Sequence, residues 1–178
     1  MKKKIENIYI GLGSNIGDRE HNLNKSISLI TKDSNIILLN KSNIYESKPM
    51  YNLNQANFLN MVIEIRSDLD VISFFNYIQN IEKQIGRPLN RIKNSPRVID
   101  LDILIFKNEI MDNNILTIPH TDLNNRAFVI IPMNDIASEL IVPLIDKSIG
   151  ELMLLLDYNN DIIKLYKQKD EKSIPYSN

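Results

Sequence analysis

The chain has 178 residues, 43% of them hydrophobic and 24% charged, with no Cys and no Trp, the profile of one soluble globular domain built on a single core. Lys plus Arg come to 21 and Asp plus Glu to 22, so the formal charge of −1 excludes a global attraction for phosphate backbones or anionic bilayers. Without Cys there is no disulfide framework, thiolate nucleophile or Cys-type zinc site, and His21 and His120 are too few for most histidine metal cages.

Lys2-Lys3-Lys4 begins like an export signal, but Ile5-Glu6-Asn7 follows and no long apolar stretch comes next. The strongest later apolar run, Leu152 to Leu156, falls far short of the ~20 residues a bilayer requires. A cytoplasmic chain without a membrane span is expected.

Ile8, Tyr9 and Ile10 are strand formers that lead into the turn-rich Gly11-Leu12-Gly13-Ser14-Asn15-Ile16-Gly17-Asp18. The glycines read as a tight turn bringing strand and helix close, with Asn15 as an added ligand contact. Neither a dinucleotide fingerprint nor a P-loop is present, because position 16 is Ile and Gly17 is followed by Asp18. Asp18 can cap a helix whose buried stripe is Leu23, Ile27 and Ile30, ending near Lys32. Ile36 to Leu39, continuing to Tyr45, predicts a second strand and Phe58 to Ile65 a third. The connection from Glu46 to Asn57 is long for a hairpin, hence mobile or functional.

From Asp70 the period changes: Val71, Phe74, Phe75, Ile78, Ile81 and Ile85 mark an amphipathic helix, and Gly86 stands where a glycine ends one. Val98 to Phe106 predicts a fourth strand. The order β, α, β, β, α, β predicts an α+β, ferredoxin-like sandwich, with two helices covering one face of a four-stranded antiparallel sheet. A C-terminal α/β extension follows, with a helix over Ser148 to Leu156 and an apolar stretch from Ile162 to Tyr166. Residues 1–166 read as one domain and 167–178 as a frayed polar tail.

Strand alternation sets Ile99, Leu101, Ile103 and Ile105 on one face of the fourth strand and Asp100 with Asp102 on the other, their Cβ atoms roughly 6.6 to 6.8 Å apart. Two such carboxylates suit a cation such as Mg²⁺; a solvated edge-strand face is the bland alternative. With 15 Lys against 6 Arg, each Arg stands out from the composition. Arg87, Arg91, Arg97 and Arg126 fall in one 40-residue window, where even scatter puts about 1.3. Guanidinium forks grip phosphate oxygens bidentately, so acids plus arginines suggest polyphosphate with Mg²⁺, with surface salt bridges as the alternative. Glu82 falls inside the apolar helix stripe, beside Gln79, and needs a partner there. Asn60 shares the strand face of Phe58, an amide beside an aromatic. Phe58 and Phe128 are by default core, and His120 follows Pro119 ahead of Arg126.

Taken together, Gly11 to Asp18, Ser42-x-x-Tyr45-Glu46-Ser47-x-Pro49, Gln55-x-x-Phe58-x-Asn60, Glu82 with Gly86-Arg87, Pro96-Arg97-Val98-Ile99-Asp100-Leu101-Asp102-Ile103-Leu104, and Pro119-His120 with Arg126 and Phe128-Val129 resemble the 6-hydroxymethyl-7,8-dihydropterin pyrophosphokinase family of folate biosynthesis. The resemblance implies transfer of diphosphate from ATP to the hydroxymethyl group of the pterin, giving AMP. It implies two Mg²⁺ ions on Asp100 and Asp102, Arg87 and Arg97 as catalytic charge stabilisers, and ATP contacts from Gln79, Glu82, Ile103, His120 and Arg126. It further implies a pterin site of Ser47, Phe58, Asn60 and Phe128 with small-molecule substrates; charge and apolar patterning give the expectation of no nucleic acid and no membrane, and the sequence leaves the oligomeric state open, a monomer included. The family's two mobile loops correspond to Glu46–Asn57 and Pro88–Ser95. Lys93-Asn94-Ser95 stands where many members carry Arg-Trp-Gly, and Leu89 where a basic residue is common, with Arg91 as a possible substitute; Lys48 and Tyr51 replace commonly small or Gly positions. The rivals are a two-metal nucleotidyl transferase on a ferredoxin-like palm, which would release pyrophosphate, and a non-catalytic ligand-binding module, which would turn over nothing.

Overall fold

Ile8–Ser14 (β1) runs between two antiparallel neighbours, Phe58–Ser67 (β4) on one side and Asp100–Phe106 (β5) on the other. The computed structural model in which this is seen describes residues 6–50, 52–87, 95–156 and 163–166. The expectations for Tyr51, for Leu89, Arg91, Lys93 and Asn94, and for the tail from Lys167 lie outside those residues.

The predicted first helix forms over Arg19–Ile30 (α1), with the Asp18 side chain accepting from the His21 amide at its start. The preceding turn is held by Asn22, whose Nδ2 donates to Ser14 Oγ at 3.2 Å and to the Ile16 carbonyl at 2.9 Å. Of the three glycines there, only Gly17 needs its freedom for the turn, with φ at 68°; Gly11 and Gly13 lie within β1 itself. The predicted second strand breaks in two, Ile36–Lys41 (β2) and Tyr45–Ser47 (β3), both paired with β4. Ser42 marks the break by accepting the Val62 amide on its hydroxyl at 2.9 Å, a bond that alternation alone cannot foresee.

Val71–Ile85 (α2) matches its expectation: Asp70 caps it, bonding the Ile72 and Ser73 amides, and Gly86 closes it at φ 113°. Met111–Asp112 (β6) and Thr117–Ile118 (β7) make a separate small ribbon, and Ala127–Ala137 (α3) and Ile149–Leu155 (α4) follow. Ser148 and Glu151 form a reciprocal capping box at α4. Ile163–Leu165 (β8) extends the main sheet beside β3. The described residues form a mixed α/β structure with four α-helices and an antiparallel main sheet of six strands, where four were expected, in the order β5-β1-β4-β3-β8 with β2 also on β4.

The sheet is clad on both faces, where helices on one face were expected. Ile8, Ile10, Leu12, Ile63 and Ile65 meet Leu23 and Ile30 of α1 and Phe74, Ile78 and Ile81 of α2. On the other face, Tyr9, Val62, Leu104 and Ile105 meet Val129, Ile130 and Met133 of α3 and Ile149 and Leu152 of α4. Double cladding accounts for the unbroken burial from Leu59 to Ile65 in β4. Sequence periodicity missed α3 because Val129, Ile130, Ile131, Pro132 and Met133 are all buried, leaving no polar face to set a 3.6-residue rhythm, and Pro132 sits inside it.

Residue pairing across β1 and β5 steps from Tyr9↔Ile105 to Ile10↔Ile103, so Leu104 is an extra residue in a bulge. Ile105 therefore leaves the face it was expected to share with Ile99, Leu101 and Ile103 and joins Leu104 on the α3 side. The Leu104 carbonyl accepts the His120 amide at 2.9 Å, which brings the segment after β7 up against β5. Among the described residues no helix is long and apolar enough to cross a membrane.

Candidate active site

The α3-facing side of the sheet opens at one end into a cleft of about 290 Å³. Its floor is a row across three strands: Asn60 of β4, Gly13 of β1 and Asp100 of β5 are paired in register, and Gly11 stands opposite Asp102 in the same way. A Cβ on Gly13 would stand 3.3 Å from Asn60 Oδ1, 3.8 Å from the Phe58 ring and 3.9 Å from the Asp100 Cβ. Glycine at position 13 thus keeps the centre of the floor low, a use of the residue distinct from turning the chain.

Charge is concentrated along one wall. Asp100 is gripped on both oxygens, by Arg87 at 2.6 Å on Oδ1 and by Arg97 on Oδ2. Behind Arg87 lies Glu82, only 2% exposed, which pairs with that guanidinium and accepts the Leu101 amide at 2.8 Å. The partner Glu82 was expected to need is therefore Arg87 plus a β5 backbone amide. Burial alone would lower the Arg87 guanidinium, but the Asp100 and Glu82 carboxylates outweigh it and hold the group above its ordinary value. Arg97 is fixed through its backbone: its amide donates to Asn15 Oδ1 at 2.7 Å and its carbonyl accepts the Asn15 amide at 3.1 Å. Asn15 also donates to Gln55 Oε1 and the Ala56 carbonyl, tying the 48–57 connection to the arginine.

Asp102, with a side chain 40% exposed, has Arg126 Nη1 at 4.0 Å. Enclosure by the cleft and the neighbouring Asp100 charge push its carboxyl up to about 7. Arg126 also pairs with Asp122 at 2.7 Å and lies 5.7 Å above the Phe128 ring. Its Nε is buried with no partner among the described residues. Burial and the Arg126 charge lower the His120 imidazole, so it is neutral near pH 7, and Nδ1 accepts the Asp122 amide at 3.2 Å. That bond leaves the ring proton on Nε2.

Aromatic and amide side chains also line the cleft. Phe58 lines the cleft beneath Arg97, ring to guanidinium 5.7 Å, and Phe128 lines it from the second position of α3. Asn60 donates to Ser47 Oγ at 2.8 Å, and both are buried.

One cleft thus gathers ten residues singled out from sequence: Ser47, Phe58, Asn60, Arg87, Arg97, Asp100, Asp102, His120, Arg126 and Phe128. Three others stand apart from its lining. Glu82 backs Arg87, Gln79 is half-buried on α2, and Ile103, 3% exposed, points into the α1/α2 core on the far side of the sheet. Sequence reading gave no site role to Leu104, Met61 and Val129, which also line the cleft. Leu104 was within reach, since the alternation that pairs Asp100 with Asp102 passes to it next. Met61 and Val129 carry no such signal.

A family profile described as 7,8-dihydro-6-hydroxymethylpterin-pyrophosphokinase matches residues 9–138. A 2-amino-4-hydroxy-6-hydroxymethyldihydropteridine pyrophosphokinase from Haemophilus influenzae is 40% identical over 135 residues, covering 76% of this chain and 84% of its own. One of the same name from Bacillus subtilis is 37% identical over 132 residues, 74% of this chain and 78% of its own. The folic acid synthesis protein fol1 of Schizosaccharomyces pombe is 35% identical over 173 residues, 97% of this chain but 23% of its own. Among solved structures, one described as HPPK-DHPS in complex with substrates superposes with a TM-score of 0.66 at 14% identity, over 86% of this chain and 43% of that one. At that identity the likeness speaks for the fold alone.

Proposed function

This chain belongs to the 7,8-dihydro-6-hydroxymethylpterin-pyrophosphokinase family, and from that premise we propose that its cleft is where the diphosphate of ATP passes to the pterin. The reaction is diphosphate transfer to the hydroxymethyl group of 6-hydroxymethyl-7,8-dihydropterin, giving AMP and the pterin diphosphate in folate biosynthesis. The observation that carries the assignment of residues is the division of one cleft into an acid and arginine half, around Asp100, and an aromatic and amide half, around Asn60, across a single glycine.

Phe58 and Phe128 sandwich the pterin ring, whose flat π-face suits two aromatic walls. Asn60 gives its Nδ2 to Ser47, which leaves Oδ1 above Gly13 to accept an N–H from the pterin edge. On the other side Arg87 and Arg97 meet the phosphates and stabilise the charge that shifts among their oxygens during transfer, from positions already fixed by Glu82 and Asn15. Arg126, whose buried Nε has no partner among the described residues, and neutral His120, with a proton on Nε2, supply further donors to ATP. Glu82 supports the ATP side from behind the lining, by holding Arg87 and the Leu101 amide of β5, whereas Gln79 and Ile103, outside the lining, are given no ATP contact.

Asp100 and Asp102 would hold Mg²⁺, two ions in all. The donor set fits: two carboxylates share one strand face, and burial together with the Asp100 charge raises the Asp102 carboxyl in spite of Arg126. No cluster of three or more His, Cys, Asp or Glu occurs among the described residues, so phosphate and water oxygens would complete the coordination, as Mg²⁺ favours. When bound, the metal neutralises triphosphate charge and polarises phosphorus toward the hydroxyl.

The strand order β5-β1-β4-β2 with α1 and α2 on one face supports a ferredoxin-like reading of residues 8–106, carried in one domain with the extension. The cytoplasm, where ATP is at hand, is the compartment implied. Incubation with ATP, Mg²⁺ and the hydroxymethyl pterin, with products separated, tests the function: AMP is expected. Pyrophosphate would favour nucleotidyl transfer, and no turnover would favour a binding module.

A further inference from the structure

Arg19 lies outside the window of arginines around the acidic pair, and the reaction above leaves it without a role. It opens α1, yet its guanidinium reaches the connection between β3 and β4. Nη1 donates to Glu46 Oε1 at 2.8 Å and to the Asn57 carbonyl at 2.8 Å. Glu46 is the middle residue of β3, and Asn57 precedes β4. The next residues inward, Ser47 and Phe58, are paired opposite one another and both line the cleft. One planar, permanently charged group therefore fastens the two ends of this connection together, a task suited to a guanidinium with several donors in fixed geometry. The two side chains are 25% and 18% exposed, sheltered enough for a charge-assisted bond to persist. Lys164 approaches the other Glu46 oxygen at 3.6 Å from an exposed position, but the Asn57 carbonyl is held by Arg19. The phosphate half has anchors of its own, Asn15 to Arg97 and Glu82 to Arg87, with Asn15 also reaching the connection at Gln55 and the Ala56 carbonyl.

We propose that Arg19 is a positioning residue for the pterin half of the cleft: by joining Glu46 to Asn57 it sets the spacing of Ser47 and Phe58 without touching either substrate. The proposal rests on the reading of the cleft given above. Steady-state kinetics of the full chain, with ATP, Mg²⁺ and 6-hydroxymethyl-7,8-dihydropterin, separate the substrates. Arg19→Ala should raise the KM for the pterin about tenfold, with the KM for ATP and kcat at saturating pterin within about twofold of wild type. Arg19→Lys should recover part of the loss, and adding Glu46→Gln to Arg19→Ala should cost nothing more. If Arg19→Ala does not fold, Arg19→Lys and Glu46→Gln must show the same split between substrates. Equal rises in both KM values, an unchanged pterin KM in a folded variant, or a loss confined to kcat overturns the role. Equilibrium titration of the fluorescent pterin against wild type and variant decides the same point if wild type forms no AMP, a result that would sink the assigned reaction on its own.

Discussion

Gly13 and Asp100 face each other across β1 and β5, and a Cβ on the glycine would stand 3.9 Å from that of the aspartate. The same added atom would press on Asn60 Oδ1 at 3.3 Å, so position 13 is where the two halves of the cleft meet.

Gly13→Val should therefore leave the strand intact, because β1 needs no glycine conformation there, and fill the floor instead. Pterin affinity should fall more than about tenfold while far-UV circular dichroism is unchanged. Titration showing normal pterin binding in the folded variant would remove Gly13 from the site.

Asp102→Asn should fold and lose about 10³-fold in Mg²⁺-dependent AMP formation, some 4 kcal/mol of transition-state stabilisation. Activity within a few fold of wild type would contradict the metal assignment.

The same variant has a pH signature. Asp102 titrates near 7 in the fold against an ordinary 3.8, so the folded chain binds the extra proton between those values, and stability contributed by this group declines as pH rises through that window. Without metal, Asp102→Asn should melt at a higher temperature than wild type at pH 8, and the gap should close below about pH 4. A constant difference across pH would show that Asp102 does not titrate this way.

Phe128→Ala should weaken pterin binding more than ATP binding, since the ring faces the cleft from α3. Equal losses for the two ligands would make Phe128 an ordinary packing residue.

Glu82→Gln keeps an acceptor for the Leu101 amide but removes the charge facing Arg87. A loss of about 2 kcal/mol is expected, a fall in melting temperature of about 4–8 °C for a chain of this size, with calorimetry as the check. Unchanged melting would mean that Asp100 alone satisfies the arginine.

What could be read from sequence was whatever depends on near neighbours. Alternation needs only two residues to put Asp100 with Asp102, or Phe58 with Asn60, and the stripe from Val71 to Ile85 carried its own phase. What could not be read depends on partners distant in the chain. Gly13 looked like a turn residue because its neighbours in the row, Asn60 and Asp100, lie on other strands. Ile105 was given the wrong face because a bulge exists only relative to β1. Helix α3 was invisible because it is apolar on every side where the sheet and α4 enclose it.

The extra residue at Leu104 makes β5 change faces partway along its length. Asp102 and Phe106 are four positions apart, an even number that in a regular strand would turn both the same way, yet one looks into the cleft and the other into the core. Deleting a single residue between them would leave three positions, an odd number that keeps the two side chains on opposite faces of a regular strand, so the bulge is what lets four positions present the acid and the ring as three would.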